Sequence, residues 1–254
     1  MSSRNLKTVL LLLVTTAAAL AIYALPRIAQ DAAYHEFADT QARFGIPNFM
    51  NVITNAAFLF TGTYGLSRLP QLPQSPLRMA YVLLCIAVIL VGCGSAWYHL
   101  APSTAALTWD RAPMTIAFMA LFALVLGDST AERAGSRLLW PLVLAGLASV
   151  AYWQVSELRG AGDLRPYALV QFLPMLLIPL VLLLFGSTRL RATLLWSALI
   201  VYALSKVAEQ YDAAILELTG FISGHSVKHL LAATAVLAAI LAHSDEDQVP
   251  GTSP

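Results

Sequence analysis

Residues Gly94–Arg111 read GSAWYHLAPSTAALTWDR and join two long apolar segments of the chain. Ser95 and His99 lie near the end of the first segment, and Asp110 lies near the start of the second. An ionisable group in a membrane span is energetically expensive, so it is a functional candidate by default. The spacing therefore predicts that a hydroxyl, an imidazole and a carboxylate meet at one boundary of a membrane.

The composition is that of a polytopic membrane protein. Of the 254 residues, 58% are hydrophobic and only 11% are charged, whereas an ordinary soluble domain is about 25% charged. The net charge of +1 offers no basic surface for nucleic acid. Cys85 and Cys93 are eight residues apart in one apolar segment, so we interpret them as packing residues and not as a disulfide.

Eight segments are long enough to cross about 30 Å of hydrocarbon at 1.5 Å per residue. We place them at Thr8–Leu25, Phe49–Ser67, Leu77–Leu100, Ala105–Leu126, Leu138–Ser156, Pro166–Phe185, Leu190–Gln210 and Ile222–His243. A backbone in lipid must satisfy its own hydrogen bonds, so all eight are predicted to be helices. The predicted fold is all-α, a membrane helix bundle with a seven-helix core and one extra N-terminal transmembrane helix.

The chain divides into three predicted parts. Residues 1–26 form a membrane anchor, with a cleaved signal sequence as the alternative; the apolar run is longer than the usual 7–15-residue signal core. Residues 27–243 form the seven-span domain, and the polar residues 244–254 are expected to be disordered. The loop Pro26–Asn48 is either a solvated connector or a lid that covers the mouth of the bundle and offers a second cation site.

Positive charges near the span ends predict the orientation. With the N-terminus inside, the inner segments hold Arg4, Lys7, Arg68, Arg78, Arg133, Arg137, Arg189 and Arg191. The outer loops hold Arg27, Arg43, Arg159 and Arg165. This bias of eight to four predicts that both termini are cytoplasmic. The polar residues of the separate spans then all lie near the outer face.

His225 and His229 are four residues apart, so they share one face of a helix. With His99 they make three histidines at the same depth, and three imidazoles plus water form a catalytic zinc site with an open fourth position. The alternative is that each histidine packs or caps near the interface. Three such histidines beside Asp110 and Ser95 favour the metal site.

Asp110 and Ser95 are the candidate catalytic residues. Asp110 can orient a water and take its proton, and the Ser95 hydroxyl can donate to a developing oxyanion. The structural alternatives are that Asp110 pairs with Arg111 or caps a helix, and that Ser95 bonds to its own helix backbone. Lys206 and Glu209 are three residues apart, and they either form a structural ion pair or support the histidines.

These residues form a recognisable pattern. Ser-x-x-x-His, an Asp eleven residues after that His, and His-x-x-x-His in the last span resemble the alkaline ceramidase family. That family belongs to a wider group of seven-span membrane hydrolases that includes the adiponectin receptors. The segments FMNVITN, GSAWYHLAP, WDRAPMTIAF and GHSVKHLLAA look especially like bacterial members.

The resemblance implies that His99, His225 and His229 bind zinc, that Asp110 activates water and that Ser95 stabilises the tetrahedral intermediate. It implies a membrane lipid as substrate, with hydrolysis of a ceramide-like amide to a sphingoid base and a fatty acid. Alternatives are a hydrolase of another lipid amide or ester, or a receptor-like protein with structural zinc.

The ceramidases also carry an acidic calcium site before their first core span. This chain departs from that pattern, since Asn48 stands where the family has a glutamate before Phe-Trp-Asn. Calcium is therefore doubtful, and Glu36 and Asp39 remain as oxygen ligands for a second cation site.

Overall fold

The structure is a computed structural model that describes residues 2–243, and the predicted tail at 244–254 lies outside these residues. Helices dominate the fold, as predicted. They are α1 Ser3–Ala24, α2 Phe49–Ile53, α3 Ala56–Ser67, α4 Arg78–Leu100, α5 Thr104–Ser129, α6 Glu132–Leu158, α7 Arg165–Phe185, α8 Ala192–Gln210, α9 Asp212–Thr219 and α10 Gly224–Leu241. Within residues 2–243, β-pairing is limited to two isolated bridges.

Seven of these helices are long and apolar enough to cross a membrane: α1, α4, α5, α6, α7, α8 and α10. The all-α polytopic bundle is therefore confirmed. The eighth predicted span, Phe49–Ser67, differs because the helix is interrupted between α2 and α3. At this point Asn55 N donates to Val52 O and Ala57 N donates to Thr54 O, which are i to i+3 bonds of a tighter turn.

The core is built from α3 to α8 and α10, whose apolar side chains form one large buried cluster. Helix α1 packs beside α7, and none of its residues is buried. Arg4 donates to Thr130 O, and Arg165 donates to Leu25 O, so the two ends of α1 are tied to opposite ends of the bundle. Whether residues 1–26 stay attached as an anchor remains a prediction.

Both cysteines are free. Cys85 is buried within the bundle, as the packing interpretation predicts, whereas Cys93 is exposed on its surface, so that interpretation is wrong for Cys93.

Candidate metal centre and lipid cavity

Three buried histidines meet at one end of the bundle. His99 is at the end of α4, and His225 and His229 are in the first two turns of α10. One ring nitrogen from each lies within 4.8 Å of the others, and this is the only group of three or more potential metal ligands among residues 2–243. Their exposed fractions are 1%, 5% and 2%. The structure thus brings together the three predicted zinc ligands.

The distances and hydrogen bonds fit a metal ion. The Nε2 atoms of His99 and His225 are 3.3 Å apart, and two nitrogens on one tetrahedral zinc at about 2.0–2.1 Å lie about 3.3 Å apart. His229 Nε2 is buried and has no hydrogen-bond partner. Since buried polar atoms are normally satisfied, this nitrogen is free to act as a ligand.

Residues that sequence reasoning missed hold the histidines in place. Thr54 Oγ1 bonds to His229 Nδ1 at 3.0 Å, which leaves Nε2 toward the other two rings. Asp212 Oδ1 accepts from the backbone N–H of His225 at 2.7 Å. Thr54 lies at the break between α2 and α3, one turn after Asn51. This polar spacing in an apolar run was the available signal.

Two glycines allow helices to approach closely at the site. A Cβ at Gly94 would collide with the carbonyl oxygen of Trp109, so glycine lets α4 and α5 meet next to Ser95 and Asp110. A Cβ at Gly224 would collide with the carbonyl oxygen of Ala208, at the start of α10. Both backbone contacts lie one residue from a predicted functional side chain.

Asp110 and Ser95 lie beside this centre. Both side chains line the same cavity as His229. Asp110 lies inside α5, whose N-cap is Ser103, so it does not cap the helix. No ion pair joins Asp110 to Arg111, and Ser95 makes no bond to its own helix among the described residues. The catalytic roles of Asp110 and Ser95 remain predictions.

Two lysines share one carboxylate at the edge of the centre. Glu209 accepts from Lys206 at 2.8 Å and from Lys228 at 3.0 Å. Lys228 Nζ also lies 3.0 Å from His225 Nε2. An ion on that nitrogen would replace this last contact and leave Lys228 paired with Glu209. The pair predicted from the sequence is thus a three-residue network that adjoins the histidines.

Part of the loop Pro26–Asn48 lies over the histidines, although most of its residues are exposed. The Phe37 ring lies 4.7 Å from that of His99 and 4.5 Å from that of His225, measured between centroids. Ala38 N donates to Asp212 Oδ2. His35 bonds to Tyr98 and Thr104, and burial followed by the nearby Arg111 guanidinium lowers its pKa. Its ring is therefore neutral near pH 7 and joins the loop to α4 and α5 without a charge.

The predicted second cation residues have different surroundings. Glu36 is exposed, whereas Asp39 is 2% exposed. Asp39 Oδ1 accepts from Gln41 N, and its carbonyl oxygen accepts from Asn51. Within residues 2–243 they join no group of three potential ligands, and a cation site here stays a prediction.

A cavity of about 690 Å³ runs from the polar residues into the bundle. At its polar end are Ser95, Asp110, Arg111, Lys206, Glu209, Lys228 and His229. Apolar side chains of α5 continue it from Met114 to Val125. Val125 is 15 positions after Asp110, which corresponds to about 22 Å of helix. The cavity therefore has one charged end and a long apolar interior, which suits a molecule with a polar group and a hydrocarbon chain.

The fold and this centre define a class of protein. It is a multi-pass helical membrane protein with a three-histidine site next to a cavity that has one charged end and a long apolar interior. Residues 42–161 match the family model described as Ceramidase. The matched segment includes Ser95, His99 and Asp110, whereas His225 and His229 lie beyond it. The predicted resemblance to the ceramidase family is confirmed over this segment, which spans a little under half of the chain. A search of curated proteins found no match.

Proposed function

We propose that this protein is a zinc-dependent intramembrane hydrolase that cleaves the amide bond of a ceramide-like lipid. The observation that carries the proposal is the cluster of three buried histidines, of which His229 lines the polar end of the cavity together with Asp110 and Ser95. The family match over residues 42–161 supports the reaction class. When bound, zinc supplies a Lewis acid that lowers the pKa of a water toward about 7 and polarises a carbonyl.

The protein side chains divide the remaining work. Asp110 accepts a proton from the attacking water while the water oxygen adds to the carbonyl carbon of the amide. The Ser95 hydroxyl donates to the carbonyl oxygen as negative charge develops there. Asp110 then returns the proton to the amide nitrogen as the C–N bond breaks. The products are a fatty acid and a free sphingoid base, so atoms and charge balance.

The shape of the cavity supports a two-chain lipid as substrate. Phe118 and Leu121 form part of the apolar wall, against which a hydrocarbon tail can lie. Phe37, in the loop Pro26–Asn48, packs against the rings of His99 and His225. It keeps bulk water away from the side of the histidines that faces the loop. A lipid can therefore keep part of its hydrocarbon in the bilayer while its amide reaches the polar end.

The proposal is tested with purified protein and matched lipids. Ceramide should be hydrolysed, a chelator should stop the reaction, and added zinc should restore it. An ester analogue of the same chain lengths tests the alternative bond type. Release of fatty acid that is unaffected by chelation would exclude the metal mechanism, and cleavage of the ester alone would exclude the amide assignment.

We further propose that both termini are cytoplasmic and that the site faces outward. The eight-to-four charge bias supports this, since Arg133, Arg189 and Arg191 lie at the end of the bundle opposite the histidines. A cysteine at Ser103, with Cys85 and Cys93 replaced by alanine, should react with an impermeant thiol reagent in intact cells or spheroplasts. The matched cysteine at Ala131, at the opposite end of α5, should react only after lysis. The reverse pattern would invert the topology.

A further inference from the structure

Arg111 is a buried charge that the proposed mechanism does not use. Its side chain is 5% exposed and lines the cavity next to Asp110. Among residues 2–243, no carboxylate lies within 4.0 Å of its guanidinium, and Nη1 is buried without a hydrogen-bond partner. An unpaired buried charge is costly. Its surroundings must therefore either compensate the charge or leave it available for a ligand.

Three aromatic rings surround the guanidinium. The Arg111 Cζ atom lies 4.3 Å from the ring centroid of Trp153, 4.7 Å from that of Tyr167 and 5.4 Å from that of Tyr34. Cation–π contacts stabilise a cation through the ring faces, and they consume none of the five N–H donors of arginine. The rings therefore hold the guanidinium in place while its donors stay free.

The charges around the cavity end have an excess of cations. Arg111, Lys206 and Lys228 face only two carboxylates, Asp110 and Glu209, so the sum is +1 before any metal is counted. Both lysines are paired with Glu209, whereas the second carboxylate, that of Asp110, does not lie within ion-pair distance of the Arg111 guanidinium. A planar guanidinium with free donors is the side chain best suited to bind an oxyanion in a bidentate manner.

We propose that Arg111 is a recognition residue for an oxyanionic group, a carboxylate, sulfonate or phosphate, on the lipid that occupies the cavity. The inference rests on the proposed function in one respect: it assumes that the bound lipid is the substrate or a product of the hydrolase. The group has two chemical sources. It is either an acidic headgroup on the substrate or the carboxylate of the fatty acid product.

Binding of uncleavable lipids to full-length protein in detergent separates these sources. The headgroup arm compares two ether analogues of ceramide, one with a free terminal hydroxyl and one with that hydroxyl phosphorylated. The product arm compares palmitic acid with the alcohol of the same chain length. Dissociation constants come from displacement of a fluorescent fatty alcohol.

Wild-type protein should bind the anionic member of at least one pair about 10-fold or more tightly than its neutral twin, as expected for a hydrogen-bonded charge pair. Arg111→Gln should abolish that preference and leave affinity for the neutral lipid within about 3-fold. Arg111→Lys keeps the charge but not the planar fork and should retain part of the preference. Arg137→Gln, which removes an exposed arginine outside the cavity, should bind as wild type does.

The outcomes are distinct. A preference confined to the phosphorylated ether identifies a headgroup, and one confined to palmitic acid identifies the product. Equal binding of both members of both pairs by wild type, or equal weakening of both by Arg111→Gln, would overturn the proposal. If Arg111→Gln has a lowered Tm, the Arg111→Lys comparison decides. Failure of wild-type protein to hydrolyse ceramide would remove the proposed function without changing this readout.

Discussion

Asp128 and His229 belong to polar clusters at opposite ends of the bundle, and the two clusters use their hydrogen-bonding atoms differently. Asp128, near the end of α5, accepts from Ser187 Oγ at 2.7 Å and from Thr188 N at 3.0 Å through Oδ2. Its Oδ1 accepts from Thr188 Oγ1 and from Arg189 N, both at 2.9 Å. Each carboxylate oxygen therefore has two donors, and the connection between α7 and α8 is held in place.

The histidine cluster is not saturated in this way. His99 Nδ1 and His229 Nε2 are buried without partners, and so is Arg111 Nη1 on the adjoining wall. His229 and Arg111 line a cavity of about 690 Å³, whereas the Asp128 carboxylate is enclosed by the connection between α7 and α8. Saturated polar groups stabilise a fold, and buried unpaired ones that line a large cavity are candidates for binding a ligand. The comparison therefore predicts opposite effects of substitution at the two ends.

The largest effect should follow loss of two imidazoles. Combining His225→Ala and His229→Ala leaves one of the three histidines, so bound zinc should fall from about one per chain to near zero, and ceramide hydrolysis should fall to background. His243→Ala removes a histidine at the Asp128 end of the bundle, and this variant should keep both its bound zinc and its activity. Metal analysis with an activity assay checks this, and full zinc retention by the double variant would refute the ligand assignment.

Asp110→Asn tests the base without removing a ligand. Asparagine keeps the size of the side chain but cannot take a proton from water, so hydrolysis should fall about 10²–10⁴-fold while zinc is retained. Activity and zinc content are measured on the same preparation. Hydrolysis at the parental rate would make Asp110 structural, and loss of zinc with activity would make it part of the metal site.

Ser95→Ala should have a smaller effect than Asp110→Asn. It removes one donor to the developing oxyanion, which costs up to about 10²–10³-fold in kcat with zinc retained. Ser149→Ala is the matched control, because that buried hydroxyl donates to Gly146 O within its own helix. Equal kcat values for the two variants would remove Ser95 from the mechanism.

Much of the fold could be predicted because lipid leaves the backbone few choices. An apolar segment long enough to span the membrane must be helical, and the predicted spans agree with α4 and α7 to within one residue at each end. The break between α2 and α3 was missed for a physical reason. Thr54 and Asn55 keep right-handed helical φ and ψ angles, so no proline or glycine signalled it.

The site could be predicted only as far as helical periodicity extends. Periodicity places His225 and His229 on one face, and the alternation of spans brings His99 to the same end. Thr54 contacts His229 across 175 residues of sequence, and Phe37 reaches the rings from a loop. Such contacts depend on how helices pack against each other, and local spacing carries no information about that packing.

Thr54→Val tests a residue found only from the structure. Valine has a similar shape but makes no hydrogen bond to His229 Nδ1, so the ring is no longer held with Nε2 toward the site. Loss of a group that orients a metal ligand typically weakens metal affinity about 10–100-fold. Competition with a chromogenic chelator measures this, and Thr54→Ser, which keeps the hydroxyl, should restore affinity. Equal affinities for all three proteins would show that Thr54 only packs.

Asp128→Asn should have the smallest effect on chemistry, because its cluster is remote from the cavity. The amide NH₂ cannot accept a hydrogen bond, so two of the four donors lose their acceptor. This should cost about 1–3 kcal/mol of stability and lower Tm. Glu132→Gln is the matched control, since it breaks only a partly exposed pair with Arg189 at 2.8 Å, and such pairs contribute about 1 kcal/mol or less. Zinc content and kcat, measured below the lowered Tm, should stay within about 2-fold of wild type. An unchanged Tm with a reduced kcat would mean that the saturated cluster also serves the reaction, and the distinction between the two ends would fail.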